Sequence, residues 1–128
     1  MYPLLSPRLH AWLDEAVLPS YAAVAWLFHL HGGALGLLLY CALQHFVVTR
    51  ITYYPRGTWP LISFPVHARL DLLEGLLLLT GAALLAGDPV AARVLLGTFG
   101  VLQVGAFALS DTRWPQEERK TIRRAQGG

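Results

Sequence analysis

Apolar positions run along the chain in four long blocks, Leu9 to Leu30, Ala34 to Val48, Val66 to Gly87 and Val90 to Leu109, with short polar breaks between them. A helix needs about 20 residues, or roughly 17 at the short end, to cross the hydrocarbon of a bilayer. The second block reaches that length only if Arg50 snorkels and the helix runs on to about Thr52. Ser6 before Pro7, and Ser63 shortly before Pro65, read as N-caps with proline in the first turn. Pro19 inside the first block predicts a kink or a break. A rival parse makes residues 8–18 an interfacial amphipathic helix and enters the membrane at Ser20. The matching stretch of the second half, Ala68 to Leu79, has no proline and argues against it. His29-Leu30-His31-Gly32-Gly33 and Gly87-Asp88-Pro89 read as turns on one side. The connection from Ile51 to Phe64, with Tyr53, Tyr54, Pro55, Gly57, Trp59 and Pro60, suits a chain lying at head-group level.

The polar interruptions repeat. His10-Ala11-Trp12-Leu13-Asp14 returns as His67-Ala68-Arg69-Leu70-Asp71 at an offset of 57 residues, and Thr52-Tyr53-Tyr54-Pro55 is answered by Thr112-Arg113-Trp114-Pro115 at an offset of 60. The chain therefore reads as a single membrane domain over 1–128. Its first repeat covers about 6–55, its second about 63–115, and 116–128 form a cytoplasmic basic tail. The expected fold is all-α: an integral membrane four-helix bundle built from two tandem, parallel-repeat helical hairpins. A pseudo-two-fold axis along the membrane normal would set the first and third helices face to face. Gly32 and Gly36, Ala82 and Ala83, and Gly97, Gly100 and Gly105 would let backbones approach where lipid offers no hydrophobic drive.

Composition fits this picture: 55% hydrophobic and 14% charged residues do not make an ordinary soluble surface. Arg8, Arg50, Arg56, Arg69, Arg113, Arg119, Lys120, Arg123 and Arg124 fall at the N-terminus, the central connection or the tail, while only Arg93 lies near the other two turns. The positive-inside rule then predicts a multi-pass protein of the inner or plasma membrane with both termini cytoplasmic. The basic tail would lie against anionic head groups, at about 1 kcal/mol per Lys or Arg. Trp12, Trp26, Trp59 and Trp114 fall near the predicted interfaces. No signal peptide is visible. Nucleic acid is not an expected partner, because no basic stripe interleaves with stacking aromatics. Cys41, the sole cysteine, excludes an internal disulfide and a thiolate metal cluster.

Ionisable residues inside membrane segments are costly and usually functional. Four residues apart on a helix means one face, about 6 Å further along the axis, so His10 with Asp14 and His67 with Asp71 make two matching faces. Turned inward, they would form a nitrogen and oxygen donor set suited to zinc, iron or manganese. Glu74 continues the second face where the first half has Val17, roughly 10 Å below His67. It reads as a proton acceptor or a pairing residue. His45 with neighbouring Gln44, and Gln103 at nearly the same place on the fourth helix, read as interhelical hydrogen-bond formers worth about 0.6 kcal/mol each. Haem is a weaker expectation: His10 and His67 are the best axial pair, but an Asp four residues on from each makes a poor porphyrin lining. His29 and His31, at i,i+2, read as a solvated turn. The bland alternative is structural pinning, since helix N-termini favour Asp14 and Asp71 and Arg50, Arg69 and Arg113 lie near enough in depth to neutralise acids. No phosphate loop, nucleophile elbow, His-Glu-x-x-His or Cys-x-x-Cys is present. No lysine in a predicted span could form a retinal Schiff base.

The repeated His-x-x-x-Asp heading each hairpin resembles the small bacterial membrane proteins of the SPW-repeat type, in which the first helix of each two-helix unit ends in Ser-Pro-Trp. Val24-Ala25-Trp26 stands at that point in the first half, keeping only the tryptophan, and Gly81-Ala82-Ala83 in the second keeps nothing. The resemblance spans both hairpins and implies a four-helix, two-repeat membrane protein. It brings no activity and no catalytic residues. From sequence alone, the leading expectation is a non-enzymatic structural or accessory membrane component, acting as a homo-oligomer or within a membrane complex. A metal-binding membrane protein or metal-dependent enzyme using His10, Asp14, His67 and Asp71 comes second. A proton- or ion-coupled transporter with Glu74 and Asp71 as carriers comes third.

Overall fold

A computed structural model describes residues 4–54 and 57–113. Four helices dominate: α1 (Pro7–Leu27), α2 (Gly32–Ile51), α3 (Phe64–Leu84) and α4 (Val90–Leu109). Two two-residue strands, β1 (Thr52–Tyr53) and β2 (Ile62–Ser63), lie between α2 and α3. Pro55, Arg56, Trp114, Pro115 and the tail 116–128, with most of the expected basic cluster, lie outside the described residues.

Ser6 caps α1, its hydroxyl accepting from Leu9 N at 3.2 Å, with Pro7 as the first helical residue. Pro19 does not break α1, which is one helix over 21 residues. Proline removes one backbone donor, and the hydroxyl of the next residue, Ser20, donates to Ala16 O at 2.7 Å. The α2 N-terminus borrows its cap from the other hairpin: Asp88 Oδ2 accepts from Ala34 N at 3.0 Å. Arg93, the cation expected apart from the rest, donates to Ala82 O at 2.8 Å near the end of α3, where a helix favours positive charge. α3 and α4 pack most closely of all pairs. They do so because Gly75 faces Gly100; a Cβ on Gly75 would stand 2.9 Å from the Gly100 carbonyl oxygen.

Short strands clip the hairpin ends together. β1 pairs with β2 in parallel, Thr52 opposite Ile62, and Leu5 pairs in parallel with Ser110. Leu5 N donates to Leu109 O and Asp111 N to Leu5 O, each at 2.9 Å. The end of each hairpin is thus tied to the start of the other. Sequence periodicity gives no signal for strands this short.

The interior is divided along its length. At the end holding the α1–α2 and α3–α4 turns, Tyr21, Ala34, Leu38, Cys41, Leu78, Ala92 and Leu96 form an apolar core. At the other end the buried polar residues are His10, Asp14, His45, Thr49, Thr52, His67, Asp71, Glu74 and Gln103, beside a small apolar cluster of Ala11, Tyr54 and Phe64. Outward faces are apolar instead: Leu39, Leu43, Phe46, Leu73, Leu76, Val94, Val101 and Leu102 are all exposed. Two helices, α2 and α4, are long and apolar enough to cross a membrane; α1 and α3 carry Asp14, Glu15, Asp71 and Glu74 within their length.

Candidate metal centre

The first two turns of α1 and α3 bring His10, Asp14, His67 and Asp71 to one point between the helices. One donor atom from each lies within 4.8 Å of the others, and none of the four residues is more than 3% exposed. Contacts run both within and across the repeat. His10 Nε2 stands 2.8 Å from Asp71 Oδ2 and 3.4 Å from Asp14 Oδ1. His67 Nε2 stands 3.0 Å from Asp14 Oδ2 and 3.1 Å from Asp71 Oδ2. The two imidazoles meet at 5.2 Å between ring centres, inclined by 76°. With carboxylates that close to both ring nitrogens, no slot for a porphyrin is left between them.

The other nitrogen of each ring is held by a hydroxyl from the opposite hairpin. His10 Nδ1 is 2.7 Å from Ser110 Oγ, and His67 Nδ1 is 2.8 Å from Thr52 Oγ1. Both hydroxyls donate their single proton backwards, Ser110 to Ala106 O and Thr52 to Val48 O. A hydroxyl has only one proton to give, so each oxygen must accept from the ring and each Nδ1 must carry hydrogen. Nε2 is then the nitrogen turned towards the carboxylates in both residues. In a neutral ring it presents a lone pair to oxygen lone pairs, which repel unless a proton or a metal ion lies between them. His67 Nε2 has no well-directed hydrogen bond despite two oxygens close by. Tyr54 closes the site from the connection, its hydroxyl donating to Asp14 Oδ2 at 2.6 Å. Burial, and then the neighbouring Asp14 charge, raise the Tyr54 phenol above its ordinary pKa and keep it a donor.

A deeper layer adjoins this one. Glu74 Oε1 accepts from the Tyr21 hydroxyl at 2.6 Å and from Gln103 Nε2 at 3.0 Å, while Oε2 lies 3.3 Å from His45 Nδ1. His45 Nε2 lies 3.5 Å from Asp14 Oδ1 and links the layers. Glu74, His45 and Gln103, expected as separate polar positions, thus form one group. Gln44 is half-buried and no hydrogen bond ties it to that group. His29 and His31 are both exposed, His29 with φ 49° in the turn. The described arginine pairs use other acids: Arg50 reaches Glu15 at 2.9 Å and Arg113 reaches Asp111 at 3.8 Å.

Four contributors escape the sequence: Tyr21, Thr52, Tyr54 and Ser110. A signal existed for two of them, because Thr52 and Ser110 are the hydroxyl residues closing each hairpin. Matching Thr52 with Thr112 hides this, since the hydrogen bonding makes Ser110 its counterpart, two residues earlier. A cavity of about 200 Å³ between α1 and α4, lined by Leu13, Ala16, Val17, Phe99, Leu102 and Ala106 among others, reaches Asp14 and Gln103. No family model, curated protein or solved structure matches this chain.

Proposed function

We propose that the protein is a multi-pass membrane protein that binds a divalent transition metal ion through His10, Asp14, His67 and Asp71. The observation carrying this reading is the pair of imidazoles whose Nδ1 protons are fixed by Ser110 and Thr52, leaving both Nε2 atoms directed into a carboxylate pair. Nitrogen and oxygen ligands bind zinc at about 2.0–2.2 Å, so neighbouring donors in a tetrahedral site stand about 3.4 Å apart, and in an octahedral one about 3.0 Å. The four nitrogen–oxygen approaches here run from 2.8 to 3.4 Å, Asp14 meeting the two rings through different oxygens, and one donor from each residue lies within 4.8 Å of the others. A ligand histidine usually donates its other ring N–H to an outer oxygen acceptor such as a carboxylate, carbonyl or water; the Ser110 and Thr52 hydroxyls fill that position here. Two nitrogens, two carboxylates and no thiolate suit zinc, iron or manganese.

Membrane insertion is supported by the reversed distribution of polarity, with ionisable groups inside and leucine, valine and phenylalanine outside. Exposed Trp12 and Trp26 lie towards opposite ends of α1, as residues of an aromatic belt would. The positive-inside rule puts both termini, and the metal end of the bundle, at the cytoplasmic side.

A second reading keeps the same cluster as a metal-free structural pin. What favours it is charge balance: His10, His45 and His67, if protonated, match Asp14, Asp71 and Glu74 one for one. Elemental analysis of protein purified in detergent separates the two. Metal near one equivalent or more in the wild type, lost in a His10→Ala/His67→Ala double variant that keeps its helicity, is expected. Stoichiometric metal absent from the wild type after incubation with Zn(II), Mn(II) and Fe(II) leaves the structural pin.

A further inference from the structure

Once four donors are assigned to one ion, His45, Glu74 and the remaining carboxylate oxygens of the aspartates are unused. One donor atom each from His45, Asp71 and Glu74 also lies within 4.8 Å of the others. Asp71 belongs to both donor groups. Asp14 also reaches toward both groups: Oδ2 faces His67 Nε2 at 3.0 Å, and Oδ1 lies between His10 Nε2 at 3.4 Å and His45 Nε2 at 3.5 Å. That His45 nitrogen is buried and has no hydrogen-bond partner. On Glu74, Tyr21 and Gln103 both bond to Oε1, leaving Oε2 with His45 as its neighbour.

We infer that the site is dinuclear: a second divalent ion sits against the first, held by His45 and Glu74, with Asp71 and Asp14 bridging the pair. This inference rests on the metal reading above and extends it. Two-metal sites hold their ions roughly 3.5–4 Å apart, a distance one carboxylate spans with its two oxygens. Electrostatics point the same way. One dication offsets two of three buried carboxylates, and a third buried carboxylate in low dielectric still needs a countercharge. A second ion supplies it without a proton on His45, and gives the unpartnered His45 Nε2, which faces Asp14 Oδ1, a role.

The breaking of the repeat is the further support. His10, Asp14, Thr52 and their counterparts His67, Asp71, Ser110 are shared by the halves. Glu74 stands where the first half has Val17, and His45 faces Gln103 across the bundle. In a metal-free pin the extra acid Glu74 only answers the extra base His45, whereas an ion beside the first uses both as asymmetrically placed ligands.

Metal counting on the full chain, loaded with Mn(II) or with Zn(II) and freed of excess ion, tests this. Two equivalents per chain are expected in the wild type. One equivalent is expected in Glu74→Gln and in His45→Gln, and none in the His10→Ala/His67→Ala variant. In the Mn(II) form, an exchange-coupled electron paramagnetic resonance signal should become a six-line mononuclear signal in either single variant. A wild type holding one equivalent, unchanged by both single substitutions, overturns the dinuclear assignment and leaves the single site standing. A wild type holding none overturns both. The wild-type count decides the question even if one variant fails to fold.

Discussion

Replacing Ser110 by alanine, and separately Thr52 by valine, removes one hydroxyl each without touching a proposed ligand. The two hydroxyls play matching parts, accepting from His10 Nδ1 at 2.7 Å and from His67 Nδ1 at 2.8 Å. Without the acceptor, the Nδ1 proton is left unpaired in a buried setting, and the ring is free to rotate or to move its proton to Nε2. Either change removes a lone pair from the metal. Loss of an outer partner of this kind costs 10–100-fold in metal affinity, or about 1.4–2.8 kcal/mol. Each single variant should weaken Zn(II) binding by that factor, measured by competition with a chromophoric chelator in detergent. The two should agree within a few-fold, and the double variant should lose about the product of the two. Unfolding of the metal-free proteins, followed by circular dichroism, provides the contrast. If Zn(II) affinity is unchanged in both variants while metal-free stability falls by about 1–3 kcal/mol, the hydroxyls merely support an ion-pair network. The reasoning that fixes Nε2 as a ligand is then wrong.

Asp71→Asn separates two imidazoles from their shared carboxylate. It should abolish tight metal binding and destabilise the metal-free protein by about 3–5 kcal/mol, as removal of one partner from a buried pair does, read by denaturant titration. Gly75→Ala should cost about 1–3 kcal/mol by overpacking α3 against α4, since the added carbon would meet the Gly100 oxygen at 2.9 Å; the same titration checks it, and a neutral result refutes that contact. The Tyr54 phenol is raised by folding, so its contribution is intact below the unfolded value of about 10 and is lost as pH climbs past it. Between pH 9 and 11 the wild type should therefore lose stability more steeply than Tyr54→Phe, by up to about 1.4 kcal/mol per pH unit. Tags at the two termini should both be protected from protease added outside intact cells and digested after lysis; a tag cleaved on intact cells refutes the orientation.

How much of this was legible in the chain differs from part to part. Uninterrupted apolar runs flanked by Ser6-Pro7 and by glycine turns determine helix lengths, so the four helices lie within a few residues of their expected limits. Pro19 does not end α1, as the proline-free counterpart stretch Ala68 to Leu79 argues, because one missing backbone donor is a local cost within a long helix. The meeting of His10, Asp14, His67 and Asp71 is readable because a spacing of four on two helices needs only one rotation about each axis. The partners of Glu74 are not readable in this way. Tyr21 has Leu78 as its counterpart, and a tyrosine within an apolar block looks like core until its hydroxyl is seen to reach a carboxylate. Thr52 and Ser110 look like chain-end hydroxyls, and their role needs the strand pairing that ties each hairpin to the other.

The crossed fastening of the hairpin ends has a consequence for biogenesis. Each histidine receives its orienting hydroxyl from the other half, so neither hairpin alone can finish a binding site. The one for His10 comes from Ser110, beyond the last residue of α4, and the ribosome must make nearly the whole bundle before that bond can form. A chain cut at Leu109 would keep all four helices and every proposed ligand, yet His10 would lack its anchor. On the proposed metal reading, loading would become a checkpoint at the very end of assembly, passed only when the first and last turns of the bundle have met.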